Sequence, residues 1–165
     1  MLDCKIAVVL IGLLICQRFI EFFYSKQNKV WLLRNKGINY DQGSFKLIAL
    51  VHISWMISIF YFGLKDLEIN YFFIILFFFL QVIRVWILVT LRNYWTVEII
   101  RIPNTKLVKK GLYKYIKHPN YLLVVFEVIV FSLIFNEKII AIIFCILHIL
   151  VLSKRIKIEN EVLKK

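Results

Sequence analysis

The chain has 165 residues, 61% of them hydrophobic and 16% aromatic, with a mean hydropathy of +0.78. Soluble domains sit nearer half apolar, so this composition excludes an ordinary water-soluble fold and predicts an all-α integral membrane protein. The formal charge of +12 would suit nucleic acid in a soluble protein, but lysine and arginine in cytoplasmic loops orient membrane helices and need no nucleic-acid partner.

The first predicted span covers residues 6–24. No small-residue cleavage site precedes Arg18, so the run reads as a span rather than a removable signal. Arg18 and Glu21 are three apart, share a helix face and can pair near the membrane edge. Residues 25–46 read as a polar loop, basic through Lys26, Lys29, Arg34, Lys36 and Lys46 and rich in turn residues from Asn35 to Gly43. The second span is residues 47–64. Its His52 reads as a hydrogen-bonded packing residue facing the bundle interior.

A short loop with Lys65, Asp66, Glu68 and Asn70 leads to the third span, residues 71–91. Gln81 and Arg84 lie on one face of it. An arginine at this depth costs on the order of 3 kcal/mol if unpaired, and a role in the site is favoured over snorkelling. The second basic stretch, residues 92–120, alternates like a short strand from Trp95 to Ile102 and turns at Pro103-Asn104.

Spans four and five, residues 121–135 and 139–152, are short against the 20 or so residues that a crossing needs. Together they predict a helical hairpin that continues into a basic C-terminal helix. Glu127 lies inside span four and His148 inside span five. A buried glutamate needs a partner, and Arg84 or a histidine can supply it. Cys4, Cys16 and Cys145 are scattered, with no CxxC and no histidine at ligand spacing, so neither a disulfide framework nor a metal site is expected. Five spans with the basic segments on one side put the N-terminus outside and the C-terminus in the cytoplasm. The whole chain, residues 1–165, is expected to be one membrane domain.

The segment Leu107–Tyr121 is the longest polar interruption in this apolar chain. It contains Gly111, Tyr113, Lys117, His118, Pro119 and Tyr121. Pro119 suits the first turn of a helix, which leaves His118 at the cap position. The hairpin brings this segment beside Arg155, Glu159 and Asn160 as they leave span five. Such a pocket suits a zwitterionic cofactor with an aromatic base and hydroxyls, since an acid binds ribose or amino groups and an arginine binds a carboxylate. The same residues would also serve as an interfacial loop with aromatic anchors, and residue types alone leave both readings open.

The run G-L-Y-K-Y-I-K-H-P-N-Y resembles the G-x-Y-x-x-x-R-H-P-x-Y signature of the isoprenylcysteine carboxyl methyltransferase family. Arg84-Val-Trp86, Trp95-Thr96, Pro103 and Leu107-Val108 occur in the order of its bacterial branch. Arg155-Ile-Lys-Ile-Glu159-Asn160-Glu161-Val-Leu163 is similar to its closing motif, and Arg18, Glu21, Asn28 and His52 resemble its N-terminal half. Two departures stand out: Lys117 replaces the usual arginine, keeping the charge without the bidentate fork, and Asn160 replaces the second glutamate of eukaryotic members, as the bacterial branch commonly does.

The resemblance implies a multi-pass enzyme of the bacterial plasma membrane that uses S-adenosyl-L-methionine. Its cofactor half would span residues 84–165. His118, Tyr121, Arg155 and Glu159 would contact the cofactor, Gly111 and Tyr113 would shape the site, and Pro119 and Asn160 would complete it. Arg84 and Glu127 would line the acceptor side as catalytic residues, with Arg84 orienting an acidic oxygen. The acceptor would be lipophilic, reaching the site from the bilayer: an isoprenylcysteine-like prenylated acceptor or an alkylpyrone-like small molecule. The alternatives are a phospholipid N-methyltransferase, a membrane NADPH-dependent sterol-type reductase, which shares a His-Pro-x-Tyr element, and a non-enzymatic membrane subunit.

Overall fold

The computed structural model describes residues 2–41, 43–65 and 67–162. Asp66 of the short loop between the second and third spans and Leu163 of the closing motif lie outside the described residues. Five α-helices dominate, and the chain is an all-α integral membrane protein: α1 Leu2–Arg34, α2 Ser44–Phe62, α3 Tyr71–Leu91, α4 Pro119–Ile134 and α5 Lys138–Val162. α1, α2, α3 with the turn that follows it, and α5 are each long and apolar enough to cross a membrane, while α4 is shorter. The close helix–helix approaches run α3 to α4, α4 to α5 and α2 to α5. α4 and α5, linked only through Phe135, Asn136 and Glu137, form the expected hairpin. Asn136 takes a positive φ of 56° at the corner.

The bundle is apolar inside and outside. Trp55, Ile59, Val128, Phe131 and Ile134 are buried at its centre. Large apolar side chains such as Ile20, Ile75 and Ile139 are at least two-thirds exposed. A helix that is apolar all round needs a non-aqueous surrounding, and here the bilayer supplies it.

α1 corrects the predicted loop at residues 25–46, because residues 25–34 are helical and residues 44–46 already open α2. Lys26, Gln27 and Lys29 are good helix formers, and their polarity rather than their propensity mimics a loop. The helix stops at Arg34 in a Schellman arrangement: the Gly37 amide donates to the Leu32 carbonyl at 2.8 Å and the Lys36 amide to the Leu33 carbonyl at 3.2 Å. Lys36 takes the left-handed φ of 64°. Gly37 is required by proximity instead, since a Cβ there would stand 2.6 Å from the Leu32 oxygen.

The helical extension carries polar anchors for the second basic stretch. Asn28 Nδ2 donates to the Trp95 carbonyl at 2.8 Å, Ser25 Oγ accepts from the Val97 amide at 2.9 Å, and Lys29 Nζ meets Glu98 at 2.6 Å. Beyond α1, β1 (Ile38–Asn39) pairs antiparallel with β2 (Ile100–Arg101), opposing Ile38 to Arg101. The strand expected at residues 95–102 is thus reduced to Ile100–Arg101. A 3-10 turn at Arg92–Tyr94 and another at Gly111–Lys114 shape the rest of the stretch.

Candidate active site

Pro119 occupies the first turn of α4, where its missing N–H removes nothing from the helix, and His118 stands at the cap. From there His118 reaches the last turns of α5. Its Nδ1 lies 3.2 Å from Glu159 Oε2, and its Nε2 lies 3.1 Å from Asn160 Oδ1. An oxygen acceptor at each ring nitrogen favours the doubly protonated imidazolium. The hydrogen bond to Glu159 accordingly raises the His118 pKa above its ordinary value, against the opposing effect of burial. The Tyr121 ring stacks on His118 with centroids 5.7 Å apart, and the Arg155 guanidinium carbon lies 6.0 Å from the Tyr121 ring centre.

This column forms one wall of a cavity of about 470 Å³. The size falls within the range of roughly 300–1,000 Å³ for small-molecule pockets. Tyr113, His118, Tyr121, Arg155 and Glu159 all line it, facing the basic stretch from Trp95 to Lys109. Burial and the nearby Glu159 charge hold the Tyr113 phenol well above its ordinary pKa, so it remains a neutral hydroxyl at physiological pH.

Three other expected site residues sit behind this wall. Asn160 contacts His118 without lining the cavity, and Pro119 is buried at the start of α4. Gly111, with φ of 54°, lies against α3: a Cβ would stand 3.0 Å from Thr90 Oγ1 and 3.1 Å from Trp86 Nε1. The glycine lets the motif segment pack directly on α3.

Arg155 does more than line the cavity. Its Nη1 donates to Ser44 Oγ at 2.9 Å and meets Asp41 Oδ2 at 3.3 Å, while its Nη2 donates to the Val97 carbonyl at 2.6 Å. Asp41 in turn uses Oδ1 to accept from Ser44 Oγ and the Phe45 amide, capping α2. Asp41 and Ser44 escaped the sequence reading because they stand 114 and 111 residues from Arg155, with no motif linking them. Trp95, Arg101 and Asn120 were also missed. All three line the cavity, and each has a buried polar atom without a hydrogen-bond partner among the described residues: Trp95 Nε1, Arg101 Nε and Asn120 Oδ1. For Trp95 and Asn120 a signal existed, since Trp95 belongs to the Trp95-Thr96 pair of the family pattern and Asn120 lies between Pro119 and Tyr121 inside the motif.

Arg84 and Glu127 meet each other instead of the cavity. Arg84 Nε donates to Glu127 Oε1 at 2.7 Å, and Arg84 Nη2 closes a bidentate pair on Oε2. Glu127 also accepts from Arg18 Nη2 at 2.7 Å and from Gln81 at 3.1 Å. Arg18 continues to Glu21 at 2.7 Å, and Gln17 donates to Glu21 at 2.9 Å. Two arginines and two glutamates thus balance within the bundle. Arg84 precedes the cavity residue Leu91 by about two helical turns, which sets this cluster deeper in the membrane than the cavity. The Arg18–Glu21 pair expected near the membrane edge is part of this interior cluster.

His148 Nδ1 faces the Phe144 carbonyl at 2.8 Å, and its Nε2 faces His52 Nδ1 at 3.2 Å. A carbonyl only accepts, so His148 carries its proton on Nδ1 and accepts from His52. The pair joins α2 to α5 by a hydrogen bond inside the bundle. Among the described residues no group of three or more His, Cys, Asp or Glu is placed to hold a metal ion.

The profile of the isoprenylcysteine carboxyl methyltransferase (ICMT) family matches residues 73–165. The chain is 29% identical to the uncharacterized protein YpbQ of Bacillus subtilis, across 95% of this chain and 96% of that protein. It is 26% identical to an uncharacterized protein of Haemophilus influenzae, across 87% of each chain. No solved structure matches it. The matched profile covers α3 nearly whole, the basic stretch that walls the cavity, and the α4–α5 hairpin with the His118–Glu159 contact, so this chain belongs to the isoprenylcysteine carboxyl methyltransferase family of membrane methyltransferases.

Proposed function

We propose that the chain transfers a methyl group from S-adenosyl-L-methionine to a carboxylate or acidic hydroxyl of a lipophilic acceptor at the cytoplasmic face of a bacterial plasma membrane. The observation that carries this reading is the joining of the motif segment and the end of α5 in one cavity, through His118, Glu159 and Asn160. The cavity suits such a donor in size. It also has unpaired hydrogen-bonding atoms of both kinds on its walls: donors on Trp95 and Arg101, and an acceptor on Asn120. When bound, S-adenosyl-L-methionine supplies an electrophilic methyl group.

The protein's own contribution is placement. A carboxylate or acidic enol is already ionised at neutral pH, so no strong base is required of the site. Glu159, fixed by His118, offers its carboxylate to ribose or amino groups, and the neutral Tyr113 hydroxyl remains a hydrogen-bond donor. Walls built from the aromatic and aliphatic side chains of Leu91, Trp95, Ile99 and Tyr121 exclude water and hold the reactants in line. Arg84 and Glu127 act as positioning residues: they clamp α3 to α4, which carry Leu91 and Tyr121 into the cavity wall.

The basic segments that surround the cavity support its cytoplasmic placement and an outside N-terminus. An isoprenylcysteine-like acid and an alkylpyrone-like enol both meet the requirement for an acidic oxygen on an apolar body. The test of the donor is thermal shift in detergent with S-adenosylhomocysteine and with NADPH. Stabilisation by S-adenosylhomocysteine is expected, and stabilisation by NADPH alone would overturn the reading.

A further inference from the structure

Two arginines line the cavity, and their guanidinium groups are used in opposite ways. Arg155 is held by the protein: its Nη1 meets Ser44 and Asp41, and its Nη2 donates to the Val97 carbonyl. Arg101 has a single hydrogen bond, from Nη2 to the Thr105 carbonyl at 3.3 Å. Its Nε is buried and meets no acceptor among the described residues. Among the described residues that line the cavity, no carboxylate pairs with it. Of the two glutamates lining the cavity, Glu98 is held by Lys29 and Asn39, and Glu159 is held by His118. The strand pairing of Arg101 with Ile38 fixes its backbone in the cavity wall.

A part-buried guanidinium with an unpaired N–H is costly unless an anion completes it, and the planar fork of arginine matches a carboxylate. Trp95 Nε1 and Asn120 Oδ1, on the same cavity, also lack partners among the described residues. We infer that Arg101 is the carboxylate-binding residue of this cavity, while Arg155 is a positioning residue locked by Asp41 and Ser44. The inference rests on the methyltransferase reading. The carboxylate belongs either to the amino-acid end of the methyl donor or to an acidic acceptor.

The test uses the full chain in detergent and calorimetric titration of Arg101→Gln and Arg101→Lys. S-adenosylhomocysteine is compared with 5′-methylthioadenosine, which lacks the amino-acid end. N-acetyl-S-farnesylcysteine is compared with its methyl ester. Arg101→Gln is expected to weaken one carboxylate-bearing probe by about 10–100-fold while leaving its carboxylate-free counterpart within about twofold. Loss confined to S-adenosylhomocysteine assigns the donor carboxylate, and loss confined to the farnesylated acid assigns the acceptor. Equal loss for both members of each pair, or no loss for any probe, overturns the inference. Arg101→Lys keeps the charge without the fork and should lose about tenfold for the same probe, which provides the reading if the glutamine variant fails to fold. If the wild type ignores S-adenosylhomocysteine, the donor reading fails, and the farnesylated pair alone then decides for or against Arg101.

Discussion

Glu127→Gln tests whether the charge cluster holds the helices together. Both oxygens of Glu127 are engaged: Oε1 accepts from Arg84 Nε and Gln81, and Oε2 from Arg84 Nη2 and Arg18 Nη2. Its side chain is 0% exposed. Glutamine keeps the shape but replaces one oxygen by an NH2 group, which turns a donor toward Arg84 and Gln81 at one position or toward Arg84 and Arg18 at the other. The balance of Arg18 and Arg84 against Glu21 and Glu127 becomes one uncompensated positive charge inside the bundle. Breaking a buried pair in this way costs about 3–5 kcal/mol. At roughly 2–4 °C per kcal/mol for a chain of this size, the melting temperature in detergent should fall by roughly 6–20 °C. Arg18→Gln in the same chain restores neutrality and should recover part of the loss, with a coupling of about 0.5–3 kcal/mol in a double-mutant cycle. A melting temperature within about 2 °C of wild type for Glu127→Gln, measured against that scale, would refute the reasoning.

Asp41→Asn leaves the buried Arg155 without its counter-ion; it should cost about 3 kcal/mol in a melting experiment and weaken S-adenosylhomocysteine binding, with Asp41→Glu recovering part of both. Gly111→Ala forces a left-handed φ of 54° on a residue with a Cβ and presses on Thr90 and Trp86; a loss of about 1–2 kcal/mol is expected in denaturant or thermal unfolding, whereas Gly12→Ala, inside α1 where a Cβ meets no described neighbour, should cost nothing and add up to about 1 kcal/mol of helix stability. The contact with Glu159 raises the His118 pKa in the folded state, so its stabilisation is fully present below the unfolded value of about 6.5 and is lost as pH rises through the folded value. Melting temperature measured across pH 6 to 9 should therefore fall more steeply for wild type than for His118→Gln, and identical slopes would remove this role from His118.

Much of this architecture is written in local sequence. Continuous apolar runs mark the helices, Pro119 marks the start of α4, and the expense of burying Glu127 points to Arg84. The hairpin follows from the shortness of the turn at Asn136, and with it the meeting of His118 with Glu159. What local sequence hides are long-range pairings between isolated polar residues. Arg18 reaches Glu127 across 109 positions, and Asp41 reaches Arg155 across 114. Neither pair has a spacing rule, because nothing periodic connects one helix to another. The extension of α1 through Arg34 is hidden for a different reason. Hydropathy falls at the membrane surface, where the helix itself does not end, and Asn28 and Lys29 look like loop residues until their partners at Trp95 and Glu98 are seen. Arg101 was similarly submerged among many cations, and only the occupancy of its neighbours separates it from them.

The most direct measurement is transfer of labelled methyl from S-adenosyl-L-methionine by the purified chain into lipids extracted from its host, followed by mild base hydrolysis and mass spectrometry of the product. The account predicts label in an apolar product, released by base where the acceptor oxygen is a carboxylate and traceable to a methylated acidic hydroxyl where it is not. Label on an amine, or no transfer by a chain that is folded and binds S-adenosylhomocysteine, would contradict it.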